Sequence, residues 1–155
     1  MLGLMQDHPL LISSIFEHAV GNYGKQEIVS NTVEGGIHRY NYSSWGERTK
    51  KLANALKSLN LNQGDKVGTL AWNGYRHLEI YYATSCSGLI CHTLNPRLHP
   101  DQVSYIVNHA EDKVLCVDLN ILPLIEKASE NFKTVEALVI MTDEKNMIKP
   151  NIKDG

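Results

Sequence analysis

Four short apolar runs in the second half of the chain constrain the fold most. They are "KVGTLAW" (66–72), "LICHTL" (89–94), "KVLCVD" (113–118) and "VEALVIM" (135–141). Each is six or seven residues of nearly continuous apolar character, and the segments between them have helical spacing. "RHLEIYYATSCSG" (76–88) reads as a helix ended by Gly88. "HPDQVSYIVNHAE" (99–111) places Val103, Ile106, Val107 and Ala110 on one face. "ILPLIEKASENF" (121–132) carries Pro123 in its first turn, where proline is tolerated. Continuous apolar strands alternating with helices predict an α/β fold, a parallel sheet covered by helices on both faces. His77 and Glu79 of the first of these helices are expected to face solvent or an interface.

The first half reads differently. Leu11, Ile12, Ile15, Phe16, Ala19 and Val20 recur at helical spacing over 10–20. "EIVSNT" and "IHRYNY" flank "VEGG", so Gly35-Gly36 predicts the tight turn of an N-terminal β-hairpin over 25–42. Ser44-x-x-Glu47 matches a capping box. The apolar spacing of Trp45, Thr49, Leu52, Leu56 and Leu59 then predicts a helix over 44–59, with Lys50, Lys51 and Lys57 on the wet side. After Thr142 the chain is polar and aperiodic, so 143–155 is expected to be a tail or frayed end.

Composition narrows the class. A net charge of −2 gives no electrostatic case for nucleic acid or an acidic membrane. No apolar run reaches the length of a membrane span, and "MLGLMQDHPLLISSI" has no basic leader. The three cysteines, Cys86, Cys91 and Cys116, are odd in number and form no CxxC, so a cytoplasmic setting with free thiols is expected.

Ligands of open parallel sheets bind outside the carboxyl ends of the strands. Those ends are Trp72-Asn73-Gly74, Asn95-Pro96-Arg97, Asp118 and Thr142-Asp143. Arg97 reads as a solvated charge, a structural fork onto carbonyls or an anion contact. Asp118 can orient a ligand hydroxyl or cap the next turn through the amides near Asn120, and spacing favours the cap. Cys91, His92 and His99 mimic the start of a metal site, but strand neighbours diverge and no CxxC, HxxxH or carboxylate lies at ligand spacing. No metal is expected there; Cys91 reads as a small core residue and His92 as a hydrogen-bonded strand residue. The chain contains no GxGxxG after a strand, no GxxxxGK[ST] and no GxSxG. Dinucleotide-binding, phosphate-loop nucleotidase and α/β-hydrolase sites are therefore unsupported.

The ordered pieces "GDKVGTLAWN", "RHLEIYYA", "HTLNPRL", "YIVNHAEDKVL" and "LPLIE" resemble the amino-terminal part of fatty-acyl-CoA synthetases of the adenylate-forming superfamily. The likeness runs from "PLLISS" to "VEALVIMTDE" and is strongest to the medium- and long-chain branch, which also holds ligases for short thioether acids such as 3-methylmercaptopropionate. It implies that 1–142 is part of the large amino-terminal domain of an AMP-forming ligase. It implies ATP, CoA and magnesium as the full-length family's reactants and cofactor, none held tightly by these 155 residues. It also implies a carboxylic acid substrate and a homodimer. The family's Ser/Thr/Gly-rich phosphate loop ending in Pro-Lys-Gly, and its catalytic lysine, have no match in this sequence. The resemblance therefore implies a truncated relative that is inactive alone, with no catalytic residue to carry over. Asn95, Pro96, Arg97 and Asp118 are implied as lining of the CoA channel, with Arg97 a contact for a CoA phosphate. The other class is a non-catalytic module that binds CoA, a nucleotide or a partner protein.

Overall fold

The computed structural model describes Gly3, Leu4 and residues 6–152. The expected polar tail is therefore seen only to Ile152, and parts of the amino-terminal stretch and of the tail lie outside the described residues. Helix α1 (Ile12–Tyr23) leads into strands β1 (Glu27–Asn31) and β2 (Ile37–Asn41) and helix α2 (Tyr42–Lys57). The alternating part follows: β3 (Lys66–Leu70), α3 (Tyr75–Ser85), β4 (Ile90–Thr93), α4 (Pro100–Ala110), β5 (Asp112–Asp118), α5 (Leu122–Ala128) and β6 (Ala137–Met141). Strands β1 and β2 form an antiparallel hairpin of their own. The other four form one sheet in the order β4-β3-β5-β6, parallel throughout.

The alternation of side chains along each strand builds two cores. Val67, Val114, Cys116 and Met141 meet Ile80 of α3 on one face. Leu70, Leu94, Leu115 and Val117 meet Val103 and Val107 of α4 and Ile125 of α5 on the other. Both faces are covered, which is why the strands read as continuous apolar runs. Gly68 of central β3 allows the closest approach. A Cβ there would stand 2.8 Å from Leu115 Cδ1 and 2.9 Å from Asp112 Oδ2. Asp112 is held and cannot retreat, so Gly68→Ala is expected to cost about 1–3 kcal/mol. Urea unfolding midpoints of the two chains check it.

Several local expectations change. α2 starts at Tyr42, two residues before the Ser44-x-x-Glu47 box, because Asn41 ends β2 in extended conformation and its Oδ1 accepts from the Ser44 amide at 2.9 Å. Asparagine caps as well as serine, and it is reached first. α3 stops at Ser85; Gly88, at φ +76°, lies in the turn into β4. His99 caps α4, its Nδ1 accepting from the Asp101 amide and its own amide donating to Gln102. His77 and Glu79, expected at solvent or an interface, are 7% and 5% exposed. The reason is tertiary: α3 lies between α2 and the sheet. His77 Nε2 is 3.0 Å from Thr69 Oγ1 on β3, and Glu79 accepts Arg48 Nε and Nη2 of α2 at 2.6 and 3.1 Å. Beyond β6, Asp143 caps a short turn at 144–146. The chain then folds back, with the Asn151 amide donating to Glu126 and Ile152 packed on the core. Among the described residues no helix is long and apolar enough to cross a membrane.

Candidate functional site

The strand order defines where a ligand can enter. The chain leaves β3 for β4 on one side and leaves β5 for β6 on the other, while β3 and β5 are neighbours. The crevice between the carboxyl ends of two strands whose connections diverge is the usual ligand position in such sheets. Here it lies between Trp72, just after β3, and Asp118, the end of β5.

Asp118 closes that crevice at its base. Its Oδ2 accepts the Trp72 amide at 2.7 Å, and its side chain makes no cap hydrogen bond to the following turn. The cap favoured by spacing is therefore not formed, because the neighbouring strand presents an unpaired amide closer to the carboxylate than its own next turn. Burial pushes the Asp118 carboxyl up, against a downward pull from the Trp72 amide and the Arg76 charge. The Trp72 indole Nε1 donates to Asn120 Oδ1 at 3.2 Å, and the Arg97 guanidinium stands 5.7 Å from the centre of its ring. Asn95 Oδ1 accepts the Arg97 amide at 3.0 Å, an Asx turn that shapes the loop. Pro96 sits between them, half-buried. Arg97, exposed and with its amide held by Asn95, thus stands over the ring of Trp72, whose backbone amide Asp118 holds.

Two further residues at this edge, Glu34 and Arg76, were not legible in the sequence, and they meet Thr142 at the end of the last strand. Glu34, in the hairpin turn, accepts Arg76 Nη1 at 2.8 and 3.1 Å and Thr142 Oγ1 at 2.7 Å. Thr142, after β6, is 108 residues away. A glutamate before Gly-Gly marks a turn, and nothing local says where the turn will point.

The opposite edge holds a second polar pair. His92 Nδ1 lies 2.9 Å from both oxygens of Asp112, which is 0% exposed. Cys91 points to the other face among the Val67 core, its thiol pushed up by burial, and His99 is spent on its cap. The three side chains that mimic a metal site thus have separate surroundings. Among the described residues no group of three or more His, Cys, Asp or Glu could hold a metal ion.

The sequence profile of the AMP-binding enzyme family matches residues 16–154. The chain is 46% identical over 141 residues to a 3-methylmercaptopropionyl-CoA ligase of Ruegeria lacuscaerulensis, covering 91% of this chain and 26% of that protein. It is 44% identical over 144 residues to a medium-chain-fatty-acid–CoA ligase of Ectopseudomonas oleovorans, with the same two coverages. It therefore spans about a quarter of the length of the curated relatives it matches. Among solved structures, the crystal structure of an anthranilate CoA ligase in complex with anthranoyl-AMP superposes with a TM-score of 0.76 at 24% identity, over 88% of this chain and 27% of that one. That likeness shows the fold, a parallel sheet with helices on both faces and an antiparallel hairpin, and with the family profile matched from residue 16 to residue 154 the chain belongs to the AMP-binding enzyme family.

Proposed function

We propose that these 155 residues form the first α/β unit of the large domain of an AMP-forming acyl-CoA ligase. In that reaction a carboxylate attacks the α-phosphorus of ATP, giving acyl-adenylate and pyrophosphate. The CoA thiol then attacks the acyl carbon, releasing acyl-CoA and AMP. The observation that carries the reading is identity of 43–46% across 91% of the chain to four CoA ligases. By their names these ligases act on 3-methylmercaptopropionate and on medium- and long-chain fatty acids, so the acid is a fatty acid or a short thioether acid. A cytoplasmic setting and a homodimer belong to the same reading, and nucleic acid has no part in it.

In this reading Asn95, Pro96, Arg97 and Asp118 line the approach of CoA. Arg97 offers an exposed guanidinium to a CoA phosphate, Asn95 shapes its loop, and Asp118 holds the Trp72 backbone beneath it. Magnesium, when bound to ATP, offsets phosphate charge in such a step.

The 155-residue chain alone is expected to release no pyrophosphate with ATP and octanoate, since it carries no phosphate-cradling loop. The positive test is a chimera in which this chain replaces the matching segment of the Ectopseudomonas ligase. ATP- and acid-dependent pyrophosphate release with acyl-CoA formation is expected. Arg97→Ala in that chimera is expected to raise the KM for CoA about tenfold, as loss of one charge-assisted contact would, with the KM for ATP unchanged. A folded chimera without activity would sink the ligase reading; an unchanged KM for CoA would sink the role of Arg97.

A further inference from the structure

The switch-point crevice is small. Its volume is about 30 Å³, with residues 31–33 of the hairpin forming one wall and Trp72 and Asp118 the other. That is room for about one water molecule, whereas ligand pockets run to several hundred Å³. The covering piece is not part of the main sheet, since β1 and β2 hydrogen-bond only to each other. Its base is anchored next to α2, where the Tyr42 amide donates to Gln26 O at 3.0 Å and the Ser43 amide to Gly24 O at 3.0 Å.

At the far end the directional ties run through one side chain. Glu34, with 9% of its side chain exposed, receives two hydrogen bonds from Arg76 on α3 and one from Thr142 after β6. Immediately after it, Gly35 and Gly36 sit at φ +92° and +100°, backbone that residues with a Cβ rarely adopt. The hairpin also meets α3 through rings nearer its base, His38 stacked on Tyr75 at 3.7 Å and Tyr40 edge-on to the same ring at 5.8 Å. These ring contacts lie on the strands, not on the turn that carries Glu34. A single carboxylate thus fastens the free end of a strap whose other end is anchored.

We infer that the hairpin turn is a lid over the switch-point crevice, latched to α3 and to the end of β6 by Glu34. Releasing the latch lets the turn rise and opens the edge at Trp72 and Asp118, while the four-stranded sheet stays intact. That a ligand then uses the opened edge rests on the ligase reading above; the movement itself does not.

Amide hydrogen exchange of the 155-residue chain, followed by NMR without any ligand, tests the lid directly. The Trp72 amide lies at the base of the crevice. Glu34→Gln keeps the shape but weakens both ties, and is expected to speed Trp72 amide exchange about tenfold. The amides of Val67 and Leu115 in the sheet are expected to keep their rates. Thr142→Val removes one tie without stranding a charge, and is expected to act in the same direction by a smaller factor. A Trp72 amide that exchanges no faster in either variant would overturn the proposal. So would a rise shared equally by Trp72 and the sheet amides, because Glu34 would then only stabilise the fold. Because no substrate enters this measurement, an inactive chimera and a failed lid remain separate results.

Discussion

Replacing Trp45 by alanine is expected to remove about 3–5 kcal/mol of stability. Trp45 is buried in α2, on the apolar stripe that its helical spacing predicts. Its ring meets Phe16 of α1 edge-on at 4.8 Å and Tyr82 of α3 at 4.8 Å and 90°, so one side chain joins three helices. Truncation leaves a cavity with walls on separate elements that cannot all close in. Its indole Nε1 has no hydrogen-bond partner among the described residues. Trp45→Phe keeps much of the ring contact and removes that unpaired donor, so it is expected to cost far less than alanine. Urea unfolding of the three chains, with Trp72 fluorescence as the common probe, checks both expectations. Equal losses for alanine and phenylalanine would refute the account.

His92→Ala is expected to cost about 2–3 kcal/mol at pH 7, and markedly less near pH 4. Asp112 is fully buried, and burial pushes its carboxyl above the ordinary range; the hydrogen bond and charge of His92, and more weakly the charge of Lys66, pull it back down. A carboxyl raised on folding contributes stability that is complete below its unfolded value and declines as pH rises through its folded value. Removing His92 raises the folded value further, so the loss grows from pH 4 towards neutrality. Asp112→Asn cannot ionise and retains an acceptor for His92. Its stability is expected to vary less with pH across that window. Unfolding midpoints at pH 4, 5.5 and 7 for the three proteins measure the slopes. A His92→Ala loss that is the same at every pH would refute the role assigned to the buried charge.

The parallel sheet, the hairpin and the five helices were legible because each rests on a local signal. A run of six or seven apolar residues between helical segments has one economical solution, strands buried on both faces. Gly35-Gly36 between two alternating segments makes a hairpin wherever it occurs. The family was legible too, because the ordered motifs around Trp72, Asn95-Pro96-Arg97 and the "YIVNHAEDKVL" segment are contiguous stretches of sequence. Element ends were less so: α2 begins at Tyr42 because β2 delivers Asn41 in extended conformation as its cap, ahead of the Ser44 box.

What tertiary structure decided was the partner of the polar side chains that pair across elements. His77 and Glu79 read as surface residues until α3 was placed between α2 and the sheet, with Thr69 and Arg48 waiting at the right distances. Asp118 had a good local cap and took the Trp72 amide, 46 residues back along the chain. Glu34 carried no signal at all, yet it meets Arg76 across 42 residues and Thr142 across 108. The physical reason is range. Apolar periodicity reports a preference for burial that any covering surface satisfies. A hydrogen bond or ion pair needs one particular atom at about 3 Å in the right direction, and only the assembled sheet, helices and hairpin bring that atom there.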